Sequence, residues 1–353
     1  MSGFKKGGFD PRDPALFLHH VDPGAGRAGF VRTNRANLSA EPFLDQRWRA
    51  PEGVDATLPL AELRAAAGET PHMDFIWHTS FCASTLLSAC LDAPGQCLAL
   101  KEPGVLVTLA TMKRNGRLDG ELARAAFGLL GRRFDPEERI LVKPSNAANT
   151  LIAEAAAVTR GRMLLLYSDC ESFVLSMAGR GRTGFAYVRD AFRILAADGH
   201  PAGRWPAAEL LRLTDLELAA LFWRMQMDAM EAAAARLGDR ARALDCRQLL
   251  EDPEEVLSGI DEFFSLGLGR ERLETVVSGP LFRRDAKRPG QAFDARTRSE
   301  ERARLRAQLG PDLSAVARSM AAVFPRPPKL AQPLVPKSVS HAKTGGLEAA
   351  PAA

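Results

Sequence analysis

The chain has 353 residues, 46% hydrophobic and 25% charged, which allows a sizeable core and excludes collagen-like, coiled-coil and wholly disordered classes. Lys and Arg number 47 against 43 Asp and Glu, a net charge of +4, so composition gives no reason to expect a nucleic-acid partner, while a local basic site for a small anion stays open. No apolar run approaches the roughly 18 residues of a membrane helix. The opening MSGFKKGGFDPRDP also lacks the apolar stretch of a secretory signal, so the expectation is a cytoplasmic protein with no membrane partner. Five cysteines without a C-x-x-C pair point to reduced thiols rather than a disulfide framework or zinc knuckle.

Taken in chain order, residues 1–70 are rich in Pro, Gly and Arg, and only LPLAELRAAA (Leu58–Ala67) reads as a helix, so this segment is expected to be an arm wrapping the main domain. Residues 71–324 alternate short apolar runs with helix-period stretches. The runs MDFIW at Met73, CLAL at Cys97, RILV at Arg139, MLLLY at Met163 and ARAL at Ala241 read as strands buried on both faces, the pattern of a parallel sheet in an α/β layer fold. The longest helix is expected from the Thr214/Glu217 capping box through Leu218, Leu221, Phe222, Met225 and Ala229 to Gly238, and another from Pro253 with Val256, Leu257, Ile260 and Phe264 on one face. Residues 325–353 mix Pro, Ser, Lys and Ala without apolar periodicity and read as a disordered tail.

The stretch FIWHTSFCASTLLSAC (Phe75–Cys90) carries the most chemistry. An apolar strand stops at His78, a short loop of small and hydroxyl residues follows, and a helix begins near Ser84. A loop of this kind aims backbone N–H groups and the positive end of the helix dipole at one spot, and Thr79, Ser80, Ser84 and Thr85 add hydroxyl donors. The site suits an anion. No G-x-x-x-x-G-K-[ST] occurs, so an ordinary ATPase or GTPase loses its main support. Cys82 at a helix start raises the tyrosine-phosphatase arrangement, but that signature needs an Arg six residues later and Ser88 stands there. A zinc site from His78, Cys82, Cys90 and Cys97 is disfavoured because Cys90 falls on the buried face of the helix.

STLL at Ser84–Leu87 followed by LDAPGQCLALKEP (Leu91–Pro103) resembles the sulfotransferase family. YSDCESFVLSMAGRGR (Tyr167–Arg182) is similar to that family's second strand and helix, with Ser176 at the 3'-phosphate serine, and LDCRQLLEDPEEVLSGIDEFFSLGL (Leu244–Leu268) is similar to a third family block. The resemblance spans roughly Met73 to Asp294. It implies a three-layer α/β/α fold of P-loop type with a mainly parallel sheet, and 3'-phosphoadenosine 5'-phosphosulfate (PAPS) as sulfuryl donor, with no metal. It also implies a small-molecule or carbohydrate hydroxyl acceptor.

Two family cations are replaced. Phe81 stands at the loop Lys/Arg position, with Cys82 and Ala83 at the Ser and Gly positions, and Ser168 stands where an Arg meets the 3' phosphate. Lys101 and Lys143, each ending an apolar strand, are the candidate replacements at the sheet's carboxyl edge, where open α/β sheets bind ligands. Arg180 and Arg182, and the basic segment with Arg283, Arg284, Lys287 and Arg288, are further candidates, although a solvated turn or loop would explain them equally. The resemblance to bacterial and carbohydrate sulfotransferases makes Glu102 the candidate general base; a buried ion pair is the alternative for it, and His78 is a second candidate base. Three functions follow: a sulfotransferase, a catalytically inactive nucleotide- or phosphometabolite-binding protein of the same fold, and a divergent P-loop kinase. The last trails because the loop Lys is absent.

Overall fold

The structure, a computed structural model, describes residues 9–48, 54–66, 68, 72–285, 288–292 and 295–335. It opens with β1 (Leu16–Asp22), β2 (Arg27–Arg32), α1 (Arg35–Ala40), β3 (Val54–Pro59) and α2 (Leu60–Ala65). Strands β1, β2 and β3 pair antiparallel in that order. The amino-terminal segment is therefore a small sheet as well as an arm. Its apolar residues lie in bulged strands, whose alternation is too broken to stand out from a Pro- and Gly-rich background.

The main sheet follows the expected runs: β4 (Met73–His78), α3 (Ser84–Leu91), β5 (Cys97–Lys101), α4 (Gly104–Arg114), α5 (Gly120–Leu130) and β6 (Arg139–Lys143). A 3₁₀ turn over Asn146–Leu151 leads into α6 (Ile152–Val158), β7 (Met163–Tyr167), α7 (Cys170–Ala178) and α8 (Gly181–Ala196). Then come α9 (Ala207–Leu210), α10 (Asp215–Leu237), β8 (Ala241–Asp245), α11 (Cys246–Glu251), α12 (Pro253–Phe264) and α13 (Arg270–Ser278). A short hairpin, β9 (Arg284–Asp285) with β10 (Arg288–Ala292), precedes α14 (Ala295–Gln308) and α15 (Gly310–Val323).

Five strands pair in parallel in the order β5-β6-β4-β7-β8. Strand side chains alternate between two cores. Phe75, Trp77, Leu98, Leu100, Ile140, Val142, Met163 and Leu165 join the amino-terminal sheet and α4 to α6. Ile76, Leu141, Leu164, Leu166 and Leu244 join α3, α11 and α12 on the other face. Both faces are thus covered, giving the three-layer α/β/α fold with a parallel sheet that the apolar runs imply. From β4 the chain passes to β5 and β6 on one side, then to β7 and β8 on the other. The carboxyl end of β4 is consequently the switch point where a crevice opens.

The long helix α10 carries its capping box as expected: the Thr214 hydroxyl accepts from the Glu217 amide and the Glu217 carboxylate accepts from the Thr214 amide. Its C-cap is Gly238, and α12 buries Val256, Leu257, Ile260 and Phe264. Two expectations are corrected. Arg180 caps α8 and Arg182 lies in its first turn, so GRGRTG is a helix start instead of a loose turn. Residues 332–335 of the supposed tail lie at the sheet edge. There Ala243 donates its amide to Gln332 O at 2.9 Å and Leu334 donates to Ala243 O at 2.8 Å, with Val335 buried. The unpaired edge of β8 supplies the hydrogen bonds that hold them. Residues 336–353 lie outside the described residues.

Arg35 at the start of α1 joins the amino-terminal segment to the sheet. It donates to Asp92 at 2.6 Å, Glu138 at 2.8 Å and the Cys97 carbonyl at 2.8 Å, and Glu138 is almost wholly buried. Replacing the guanidinium by a methionine leaves buried Glu138 without its cation and Asp92 with only the Lys101 ammonium at 3.8 Å. We expect Arg35→Met to cost about 3 kcal/mol of unfolding free energy, the scale for breaking a buried pair. Urea denaturation checks this; a loss below about 1 kcal/mol would show that the network is not needed.

Candidate active site

The loop between β4 and α3 bends in a way that side chains resist. Phe81 has φ 59° and Ala83, the N-cap of α3, has φ 58°, so two non-glycine residues sit in the left-handed region. Such a placement costs on the order of 1 kcal/mol per residue and persists where surrounding structure enforces it. Ala83 falls at the position where the family resemblance has Gly. The glycine is gone, but the backbone shape that glycine suits is kept. Below the bend, Thr79 donates its amide to Leu166 O and Cys82 points its thiol at the same carbonyl, 3.7 Å away.

Segments after two neighbouring strands meet this loop. Asn149, after β6, donates its amide to His78 O at 3.1 Å; Ser168, after β7, donates its backbone N–H to the Thr79 hydroxyl at 3.4 Å. His78 turns its Nε2 to the Pro144 carbonyl at 2.9 Å. Thr85 Oγ1, Ser168 Oγ and Asn149 Oδ1 are buried without a hydrogen-bond partner. Buried polar atoms normally find partners, so three orphans from three elements around one loop mark a place for a polar ligand. The first-turn amides of α3, at Ser84 and Thr85, have no intrahelical acceptor and share the site.

A second wall comes from helices. Tyr187 of α8 donates its hydroxyl to Asn146 Oδ1 at 3.2 Å, and the Asn146 amide donates to Gln226 Oε1 of α10 at 3.1 Å. Burial raises the Tyr187 pKa against the smaller opposing effect of its hydrogen bond to Asn146, while the nearby charge of Glu102 raises it further. Its phenol remains protonated and able to donate at neutral pH. Trp223 of α10 donates its indole N–H to Ser168 O at 2.7 Å. Trp205 stacks on Phe324, and Phe222 is fully buried against Phe173 and Tyr187.

Glu102 sits one residue past β5 with φ 53°, a third non-glycine in the left-handed region, and its amide donates to Lys143 O at 2.7 Å. Lys143, with no exposed side-chain surface, donates to Glu102 Oε1 at 2.6 Å, and Arg47 donates to Oε2 at 3.1 Å. Glu102 is therefore a buried ion-pair partner by geometry, whatever else it does. Lys101 directs its ammonium elsewhere, to Ser39 O at 2.5 Å and toward Asp92 at 3.8 Å, and burial lowers its pKa. The structure thus brings His78, Thr79, Ser80, Cys82, Ala83, Ser84, Thr85, Glu102 and Lys143 to one sheet edge and turns the head of Lys101 away from it.

The remaining candidates gather at α7. Ser176 donates its hydroxyl to Ser172 O at 2.9 Å, Arg180 donates to Ser176 O at 2.6 Å, and Arg302 of α14 donates to Ser172 O at 3.1 Å. The Arg180 guanidinium also lies over the Phe81 ring, 4.3 Å from its centroid. A cation is thereby carried to the loop residue that stands where the family has its Lys or Arg. Lys287 lies outside the described residues. Arg47, Tyr187, Gln226 and Arg302 were not expected from the sequence. Tyr187 alone left a signal, as a polar-tipped aromatic among the apolar positions of α8.

No family model matches the chain, and no curated protein matches it. Among solved structures it is similar to a sulfotransferase domain from the curacin biosynthetic pathway, with 15% identity over 69% of this chain and 99% of that one and a TM-score of 0.44. It is similar also to a sulfotransferase domain from the Synechococcus PCC 7002 olefin synthase (15% identity, 61% and 80% covered, TM-score 0.37). A sulfotransferase from Mycobacterium avium is a third (14% identity, 72% and 79% covered, TM-score 0.36). At these identities and TM-scores the likenesses assign neither activity nor substrate.

The thiols offer little chemistry. Burial pushes Cys90 up to about 12 and raises Cys97 well above the ordinary thiol range, where Asp92, Asp74 and Glu138 add to it. Among the described residues no group of three or more metal-ligating side chains converges. Since only the thiolate reacts, and these thiols ionise far above neutral pH in the folded chain, Cys90 and Cys97 should alkylate at pH 8 at least about 100-fold more slowly than in urea. Mass-spectrometric footprinting of the two states measures this; equal rates would contradict the burial.

Proposed function

We propose that the chain is a sulfotransferase that moves a sulfuryl group from PAPS to a hydroxyl acceptor. The observation that carries this reading is the position of the Tyr187 hydroxyl. It is bonded to Asn146, the Tyr187 ring packs edge-on against Phe81 of the anion loop, and it lies within the field of Glu102, which supports one space shared by loop and carboxylate. The orphaned Thr85, Ser168 and Asn149 atoms fit a ligand rich in oxyanions.

In this reading the first-turn amides of α3 with Ser80, Ser84 and Thr85 hold the 5' end of the donor, and Ser176, Arg180 and Arg302 hold the 3' phosphate. The chemistry the donor supplies when bound is an activated sulfuryl group on a phosphate leaving group. The chain's own work is positioning and charge neutralisation, plus removal of the acceptor's hydroxyl proton by the Glu102 carboxylate. Lys143 does not replace the missing loop cation in this reading; its bond to Oε1 fixes the direction of the Glu102 carboxylate.

A second reading has an observation of its own. Both oxygens of Glu102 are occupied by cations, which is also how a purely structural carboxylate is held, and a nucleotide-binding protein without turnover would need nothing more.

Calorimetry tests both readings, and turnover separates them. Under either reading 3',5'-adenosine bisphosphate should bind at micromolar levels, and Arg180→Ala should weaken it by about 1.5 to 3 kcal/mol, the range for hydrogen bonds to charged groups. Absence of heat at millimolar ligand would remove both readings. Glu102→Gln keeps the size of the side chain, so affinity should stay within about threefold while turnover with an identified acceptor falls by roughly 10² to 10⁴, the contribution of a positioned base. Unchanged turnover would place the base elsewhere, with His78 next to test.

A further inference from the structure

Arg47 is the accessible half of the clamp on Glu102. Its side chain is 52% exposed, whereas that of Lys143 is 0% exposed. The segment that carries it is fixed to the sheet edge: Leu44 donates its amide to Lys101 O at 2.7 Å and Gly104 donates to Leu44 O at 3.0 Å. Gly104 suits the close approach there, because a Cβ would lie 3.0 Å from Asp45 Cα. The guanidinium plane stacks on Phe43, 3.6 Å from the ring centroid. Its Nε and Nη2 edge is filled by Asp45, at 2.8 and 2.5 Å.

The other edge of the fork is only half used. Nη2 reaches Glu102 Oε2 at 3.1 Å, and Nη1 makes no hydrogen bond to a described residue. A planar guanidinium held flat by an aromatic ring, with one edge satisfied and the second open beside a candidate base, is built for bidentate capture of a carboxylate. We propose that Arg47 selects the acceptor, and that the acceptor class is hydroxyl compounds bearing a carboxylate.

This deepens the sulfotransferase reading and rests on it for the word acceptor. The acceptor's carboxylate takes the Nη1–Nη2 edge and displaces Glu102 Oε2, which stays held only through Oε1 by Lys143. The freed Oε2 then receives the hydroxyl proton as the acceptor oxygen forms its bond to sulfur and the sulfur–phosphate oxygen bond breaks, its electron pair leaving with the phosphate. The charged groups around Glu102 are Lys143 of β6, Arg47 and Asp45 of the arm, and the Tyr187 phenol of α8, while the adjacent Lys101 is turned to Ser39 and Asp92. Of these only Arg47 combines positive charge with an exposed, partly unused donor edge.

The test is equilibrium binding to the full chain, with and without 3',5'-adenosine bisphosphate. The probes are 4-hydroxybenzoate and its neutral methyl ester, titrated by ligand-observed NMR. The wild type is expected to bind the acid at least about tenfold more tightly than the ester. Arg47→Ala should abolish that preference, with ester affinity unchanged to within about twofold, and Arg47→Lys should retain only part of it because a point charge cannot fill the fork. Arg27→Ala, on the distant amino-terminal sheet, is the control and should behave as wild type. Equal affinity for acid and ester in the wild type, no binding of either, or a preference that survives in Arg47→Ala would each overturn the proposal. The acid-to-ester ratio needs no turnover, so failure of the sulfotransferase reading shows in the nucleotide titration and failure of this one in the ratio.

Discussion

A lysine ammonium with no exposed surface has to find an anion inside the fold, and the architecture around Lys143 follows from that requirement. Its partner, Glu102, must leave β5 on a left-handed residue to reach back across the sheet edge, and the bond from its amide to Lys143 O fixes that turn. The turn in turn sets where Pro103 and Gly104 begin α4, and Gly104 leaves room for the amino-terminal segment to lie against it. Arg47 completes the charge balance from above. One buried cation thus couples strand order, helix start and arm into a single rigid corner beside the anion loop. A solvent-exposed pair would contribute little; in this corner the loss of either partner would strand a charge.

The same logic separates the two sides of the sheet edge. On the β4 side the backbone supplies the binding groups: left-handed Phe81 and Ala83, helix-start amides, and hydroxyls with unfilled hydrogen-bonding capacity. On the β5 and β6 side ionised side chains dominate, already paired with each other. The loop thus offers unfilled dipoles, while the Glu102 corner presents a carboxylate already balanced by cations. Under the proposed function, that division of labour is what in-line transfer between two oxygens requires, one end held by dipoles and the other by a proton acceptor.

How much of this was legible in the sequence depended on whether the signal was local. All five strands of the main sheet were visible because runs such as MLLLY and RILV are buried on both faces and need no alternation to be seen. The capping box at Thr214 and the apolar stripe of α12 were local too, and the structure reproduces both. The antiparallel amino-terminal sheet was missed because bulges break the alternation of its strands and two half-buried histidines interrupt the apolar run of β1. At the site, the loop and Glu102 could be picked out by position after apolar strands. The direction of Lys101 could not, because a lysine at a strand end points to whichever carboxylate tertiary packing brings near, and Asp92 is that one. Arg47 and Arg302 reach the site across 55 and 130 residues of chain, a relation that no window of sequence contains.

The attachment of residues 332–335 to β8 has a consequence for how the chain is made. The sheet's two outer strands are both closed by segments distant in sequence, β5 by the amino-terminal arm and β8 by the stretch after α15. During synthesis from the amino terminus the β5 edge can be closed as soon as that strand forms. The β8 edge remains an open row of amides and carbonyls until some ninety further residues, from Asp245 to Val335, have been added. At roughly 5 to 20 residues per second that is a window of about 5 to 20 seconds in which the nascent domain carries an unguarded edge. Chaperone dependence of this protein should therefore be concentrated late in translation, in the same interval that adds α14 and Arg302 to the candidate site.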